Sequence, residues 1–90
     1  MITYTSKYFY VKEIQTGGEG GEITGLTGYF TDRSHTMFLP PQTITSQDAI
    51  SMIDAGIFLF TTTKLGQRKI LKYVCPDGLY LGGNITLGDD

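Results

Sequence analysis

The chain is poor in the residues on which covalent and metal cross-links depend. Its 90 residues include one cysteine, Cys75, and one histidine, His35. A single cysteine excludes a disulfide within the chain and cannot by itself provide the four ligands of a structural zinc site. We therefore expect no metal and no cofactor, and a reduced, cytoplasmic setting.

Surplus positive charge and long apolar runs are also missing. The net charge is −2 and the pI is about 5.1, so no overall positive field draws the chain to nucleic acid or to an anionic membrane. No apolar run approaches the roughly 20 residues that span a bilayer, and residues 1–7 carry no signal-peptide pattern. We expect one domain over residues 1–90, with a flexible acidic tail at about 84–90.

The chain does contain two stretches that are apolar or aromatic at every position, Tyr8–Val11 and Ile57–Phe60. Side chains alternate between the two faces of a sheet along a strand, so each stretch places large apolar groups on both faces. One short helix can cover only one of these faces. We therefore expect another body, most simply a second subunit, on the opposite face.

Turn and helix-end signals divide the chain into the order strand, strand, helix, strand, strand. From Asp32 to Thr43 no period holds and Pro40–Pro41 excludes a helix, so this segment is predicted to be a long loop. Strands are predicted at about 7–15, 22–31, 57–63, 68–75 and, briefly, 79–81. The expected fold class is α+β: a four- or five-stranded antiparallel sheet that carries one helix.

The helix has recognisable end signals. Thr45 suits the N-cap position, and Asp48, three residues later, forms an acidic variant of the capping box. Apolar residues recur at three- and four-residue spacing after it, and Gly56 suits a left-handed C-terminal cap. A helix is therefore predicted over Ser46–Ala55, and it needs the sheet for stability because so short a helix is marginal alone.

Six short stretches, spread over most of the chain, match a pattern seen elsewhere: Val11–Ile14, Glu22–Leu26, Ala49–Ile50, Ile53–Gly56, Phe60 and Tyr80–Leu81. Together they resemble a family of small bacterial and phage-borne domains of unknown function with the order strand, strand, helix, strand, strand. The chain departs from that family in its Asp32–Thr43 loop and in its tail, where similar proteins tend to close on Leu-Pro. The resemblance brings no activity and implies an accessory or inhibitor protein of phage or mobile-element origin.

No known catalytic pattern is present. His35 ends the polar loop sequence Asp32–His35, where a general base or a phosphate contact is one interpretation and a solvated loop histidine is the one we favour. Ser34 and Cys75 lie in no nucleophile signature, and Cys75 is predicted to be a small core residue. Gly17–Gly21 lacks the Lys-Ser/Thr ending of a phosphate-binding loop and is predicted to connect a hairpin. We therefore predict that the chain is not an enzyme.

Basic residues form one candidate binding surface. Four of the seven fall within nine positions of the second predicted hairpin, and these are Lys64, Arg68, Lys69 and Lys72. Near aromatic side chains such a cluster can hold a nucleotide, a phosphate group, nucleic acid or an acidic protein surface. The interpretation that we favour is a charged strand edge that discourages aggregation.

Aromatic residues form the other candidate surface. Six tyrosines and five phenylalanines exceed what one short helix covers, and tyrosine is enriched at interfaces. The interface candidates are Tyr8, Tyr10, Tyr29 and Phe38; the alternative is that the tyrosines only shield the sheet. We favour a non-enzymatic binding module, a homodimer or higher oligomer that occupies a protein partner, over an anion-binding module for a nucleotide signal or nucleic acid. No membrane partner is expected.

Overall fold

The α+β class predicted from the sequence, one sheet with one helix, is confirmed for the described part of the chain. The computed structural model describes residues 4–17, 22–71, 73–75, 78–80 and 82–83, and it describes no side chains for residues 73–75 and 78. The elements are β1 (Tyr8–Gly17), β2 (Glu22–Thr31), β3 (Gln42–Thr45), α1 (Ser46–Asp54), β4 (Phe58–Thr62), β5 (Arg68–Ile70), β6 (Tyr73–Cys75) and β7 (Gly78–Tyr80).

Both ends of α1 lie where the local signals place them. The Thr45 hydroxyl accepts a hydrogen bond from the Asp48 N–H (3.1 Å), and the Asp48 carboxylate accepts one from the Thr45 N–H (3.4 Å). Gly56 follows the helix at a φ of 91°, which is the left-handed conformation of a C-terminal cap. Ala49 and Met52 are buried against the sheet. This helix is too short and polar to cross a membrane, and the described residues contain no other that could.

The sheet is mixed, which corrects the predicted antiparallel pairing. β1 pairs antiparallel with β2 and parallel with β4. β3 is antiparallel to β2 and so runs in the same direction as β1. α1 then carries the chain back to begin β4 in that direction, which is the kind of crossover that parallel strands require. The register places Tyr10 of β1 between Tyr29 of β2 and Phe60 of β4.

Two further details of the prediction need correction. The fourth predicted strand, 68–75, is two strands: β5 pairs with β4, whereas β6 pairs with β7 at the other end of the sheet. The chain crosses between these ends because Leu71 and Leu79 are both fully buried in one core. Gln42 and Thr43, assigned to the long loop, begin β3, which pairs with β2.

Residues that follow β7 return to β5. The Ile70 N–H donates to the Gly83 carbonyl (3.3 Å), and the Gly82 N–H donates to the Ile70 carbonyl (2.7 Å). The strand order is β5-β4-β1-β2-β7-β6, so the sheet curves until its two ends approach each other. The edge of β5 is therefore covered at Ile70 by the chain's own backbone.

The main core fills the space between α1 and the concave, inner face of the sheet. Its buried members are Phe9, Val11, Ile23, Leu26, Phe30, Ile44, Ala49, Met52, Ile57, Leu59, Leu71 and Leu79. Phe60 is equally buried but lies outside this cluster, because strand alternation turns it to the other face. Lys72, Leu81 and the predicted acidic tail, 84–90, lie outside the described residues.

Candidate functional site

The face of the sheet turned away from α1 is aromatic, as the two uninterrupted apolar stretches predict. This outer face consists of Tyr8, Tyr10, Tyr29, Phe58 and Phe60, which are brought together by the pairing of β1 with β2 and β4. Ring centroids are 5.4 Å apart for Tyr10 and Phe60, 5.5 Å for Tyr10 and Tyr29, and 6.0 Å for Tyr8 and Phe58. These separations are those of favourable aromatic pairs.

A short loop after β2 folds back over this outer face. We call Asp32–Thr36 the strap. One carboxylate oxygen of Asp32 accepts hydrogen bonds from the Ser34 N–H (2.8 Å), the Ser34 hydroxyl (2.6 Å) and the Thr36 N–H (3.2 Å). The hydroxyl of Ser34 holds the pKa of Asp32 below its usual range, so the carboxylate stays charged and keeps the strap in a tight turn.

His35 is the residue of the strap that lies on the sheet. Its ring centroid is 4.7 Å from that of Tyr10 and 5.2 Å from that of Phe60, and the Tyr29 hydroxyl donates to its carbonyl oxygen (3.5 Å). Its φ is 67°, a conformation uncommon for a residue with a Cβ. The half-buried ring corrects the expectation of a solvated loop histidine.

Together with the strap, two arginines cover the centre of the outer face. The Arg68 guanidinium of β5 lies 5.9 Å from the centroid of the Phe60 ring and donates to the Arg33 carbonyl (3.2 Å). Arg33 in turn donates from Nε to the Tyr8 hydroxyl (3.2 Å). Phe60 is fully buried as a result, and Tyr8 and Tyr10 are half-buried. The chain itself therefore covers the centre of the face for which the sequence suggested a partner.

The environment of His35 favours its neutral form. Burial, followed by the positive charge of Arg68, lowers its pKa, while the charge of Asp32 offsets part of this effect. Its Nε2 is inaccessible to solvent and has no hydrogen-bond partner among the described residues. An imidazolium would carry a second N–H without an acceptor, and burying an unpaired donor is unfavourable.

Because of His35, we expect the free energy of unfolding to decrease as the pH is lowered. Its pKa in the folded chain lies below the 6.5 of a free histidine, so the unfolded chain binds a proton first as the pH drops. The contribution of the neutral ring to the free energy of unfolding is fully present above pH 6.5. It is lost as the pH falls through the pKa that His35 has in the folded chain. Urea unfolding at several pH values measures this slope.

The matched control for this measurement is His35→Asn. Asparagine has no titratable group and tolerates a positive φ better than most residues. In this variant, the free energy of unfolding is expected to lose the part of its pH dependence that lies just below pH 6.5. Identical pH profiles for the two chains would contradict the assignment.

Directly after the strap, three large apolar side chains face solvent. We call Met37–Leu39 the apolar segment; the exposed fractions are 53% for Met37, 43% for Phe38 and 41% for Leu39. The segment is held in place, because Met37 bridges to Thr31 and the Phe38 N–H donates to the Phe30 carbonyl (3.0 Å). Only Phe38 was among the interface candidates. Met37 and Leu39 could have been identified from the sequence because they lie in the uncharged run Thr36–Gln47.

The basic candidates do not share one face. Arg68 pairs with Thr62 and Lys69 with Thr61, so the two side chains leave opposite faces of the sheet. Lys64 is exposed in the turn before β5, and Lys72 lies outside the described residues. Of the described members of this set, only Arg68 lies on the outer face.

Metal ligands are not clustered in the described residues. These residues contain no cluster of three or more histidine, cysteine or acidic side chains that suits a metal ion. The Ser34 hydroxyl contacts Asp32 and Thr36, and the Cys75 side chain lies outside the description. A cavity of about 140 Å³ beside the end of α1 has an apolar lining of Ile53, Gly56, Ile57, Phe58, Leu59, Ile70 and Leu71.

Comparison of the chain with protein-family models, with curated proteins and with solved structures finds no match.

Proposed function

We propose that this chain is a non-enzymatic binding module that holds a protein partner through the apolar segment, Met37–Leu39. The observation that carries the proposal is the exposure of three consecutive large apolar side chains, 53%, 43% and 41%. Single exposed apolar residues are ordinary, whereas contiguous apolar patches on a small domain mark interaction sites. A partner that covers these side chains removes apolar surface from water, which favours association.

The segment is also ordered before any partner arrives. Backbone contacts to Thr31 and Phe30 fix its start, and Pro40–Pro41 restricts the backbone that follows it. A binding segment with little freedom to lose keeps more of its interaction free energy as affinity. We place this module in the cytoplasm, in an accessory or inhibitory role such as the resemblance to phage-borne domains implies.

The experiment is native mass spectrometry of the tagged chain purified from its own cells. The expected result is a protein complex, homomeric or heteromeric, that disappears in the triple variant Met37→Ser/Phe38→Ser/Leu39→Ser. Leu65→Ser is the matched control, because Leu65 is 87% exposed but stands alone in a turn. The control is expected to keep the complex.

Two other results would overturn the proposal. One is a complex that survives the triple variant; the other is a chain that carries a nucleotide or nucleic acid and no protein. The second result would favour the anion-binding alternative, and loss of that ligand with rising salt and on replacing Arg68 and Lys69 by glutamate would establish it.

A further inference from the structure

We infer that the partner of the apolar segment is a second copy of this chain, paired about a two-fold axis that passes beside Thr43 of β3. This inference rests on the proposed function and names its partner. Three features carry it: a free strand edge, an uncharged surface around that edge, and the exposed apolar segment next to both.

The free edge belongs to β3. One side of β3 pairs with β2, with Ile44 opposite Leu26 and Thr43 opposite Thr27, and no described strand pairs with its other side. The Thr45 N–H points away from β2, since it donates to the Asp48 carboxylate. Backbone groups alternate in direction along an antiparallel strand. The N–H and carbonyl of Thr43 therefore point to the free edge as well.

A second β3 fits this edge by symmetry. In a two-fold antiparallel pair, each Thr43 N–H donates to the Thr43 carbonyl of the other copy, so the same surface serves both partners. The pairing cannot extend far, because Pro41 has no N–H and the Thr45 N–H is engaged in the helix cap. Two hydrogen bonds use up the edge and close the pair, which prevents open-ended sheet growth.

The surface around this edge is suited to meeting its own copy. Twelve consecutive residues, Thr36–Gln47, carry no ionisable side chain, although the chain has 7 basic and 9 acidic residues. A group on a two-fold axis faces its own equivalent, so a charge at Thr43 would meet a like charge. The longest uncharged run of the chain therefore lies where a symmetric contact needs one.

The same symmetry brings the apolar segment into the contact. Residues before Thr43 in one copy lie beside residues after Thr43 in the other, so Met37–Leu39 approaches the start of α1 in the partner. Thr45–Gln47 of that start are uncharged and half-buried or exposed, and the next residue, Asp48, is half-buried with its carboxylate accepting from the Thr45 N–H. The two hydrogen bonds define the register, and the buried apolar surface provides most of the affinity.

Analytical ultracentrifugation across a range of concentrations tests the pair. The wild-type chain is expected to sediment as a dimer. Thr43→Pro removes an N–H that the fold itself does not use, and it should raise the dissociation constant by roughly tenfold to a hundredfold. Thr43→Val, which keeps the N–H and removes only the hydroxyl, should remain dimeric. A monomeric wild-type chain, or a Thr43→Pro dimer of unchanged affinity, would overturn the inference.

Hydrogen exchange of the wild-type chain provides an independent test that does not depend on whether the proline variant folds. The Thr43 amide is expected to exchange more slowly as protein concentration rises, and to slow by more than the Thr27 amide on the paired strand, which responds only through the added stability of the dimer. An unresponsive Thr43 amide would overturn the inference. A third outcome is a chain that is monomeric but binds a different protein, which the Met37→Ser/Phe38→Ser/Leu39→Ser variant no longer binds. That outcome would leave the proposed function intact and would refute only the inference that the partner is a second copy.

Discussion

Replacement of Gly28 by alanine is expected to destabilise the chain by about 3 kcal/mol or more. A Cβ at this position would overlap the carbonyl oxygen of Tyr10 and would lie 2.9 Å from both the Tyr10 carbonyl carbon and the Val11 Cα. These atoms belong to the backbone of β1, so no side-chain rotation can relieve the contact. β1 and β2 would have to separate where Gly28 pairs with Val11, beside the bulge between Val11 and Glu13.

Urea unfolding of Gly28→Ala against Gly25→Ala measures this effect. Both glycines are buried in β2, but a Cβ at Gly25 would meet the Gln15 side-chain oxygen at 2.8 Å, which is the far end of a flexible side chain. The control variant is expected to be nearly neutral, since alanine also lowers the entropy of the unfolded chain. Equal stabilities for the two variants would mean that the strands can separate easily at Gly28.

Those parts of the fold with local causes were predictable from the sequence. The helix begins after Thr45 because its hydroxyl and the Asp48 carboxylate cap each other's N–H groups, and both residues lie within one turn. It ends before Gly56 because glycine adopts a positive φ without strain. The bounds of β2, Glu22–Thr31, follow in the same way from the glycines before it and the polar turn after it.

Pairing between distant segments was not predictable in this way. β4 is parallel to β1 because α1 carries the chain back across the sheet, and no residue in either strand signals that direction. The division between β5 and β6 likewise depends on burying Leu71 and Leu79 in one core. Both outcomes depend on the packing of the whole chain and not on local propensity.

The candidate site, too, was predictable from the sequence only in part. Two-sided apolar strands correctly predicted an aromatic outer face, and Asp32, Ser34 and Thr36 have the spacing of a side-chain-stabilised turn. Nothing in that spacing indicates that the turn folds back over the sheet. His35 reaches Tyr10 and Phe60 only because β1 and β4 are adjacent, so the cover could not be found before the pairing was known.

Phe60→Ala tests whether the chain itself covers the outer face, and it is expected to lower the free energy of unfolding by about 3–5 kcal/mol. The Phe60 ring is fully buried beneath the strap and contacts Tyr10, His35 and the Arg68 guanidinium. Its removal leaves a cavity and takes away the platform on which the strap rests. Because the cover is intramolecular, urea unfolding should show the same loss at every protein concentration.

Phe58→Ala is the matched control, because Phe58 lies on the same strand and the same face, two residues earlier, but is only half-buried. It should cost clearly less than Phe60→Ala, since less apolar surface is removed from the interior. A loss for Phe60→Ala that grew with protein concentration would instead show that a second copy covers this face. In that case the interface would lie at Tyr8 and Tyr10, as the sequence first suggested, and not at the apolar segment, Met37–Leu39.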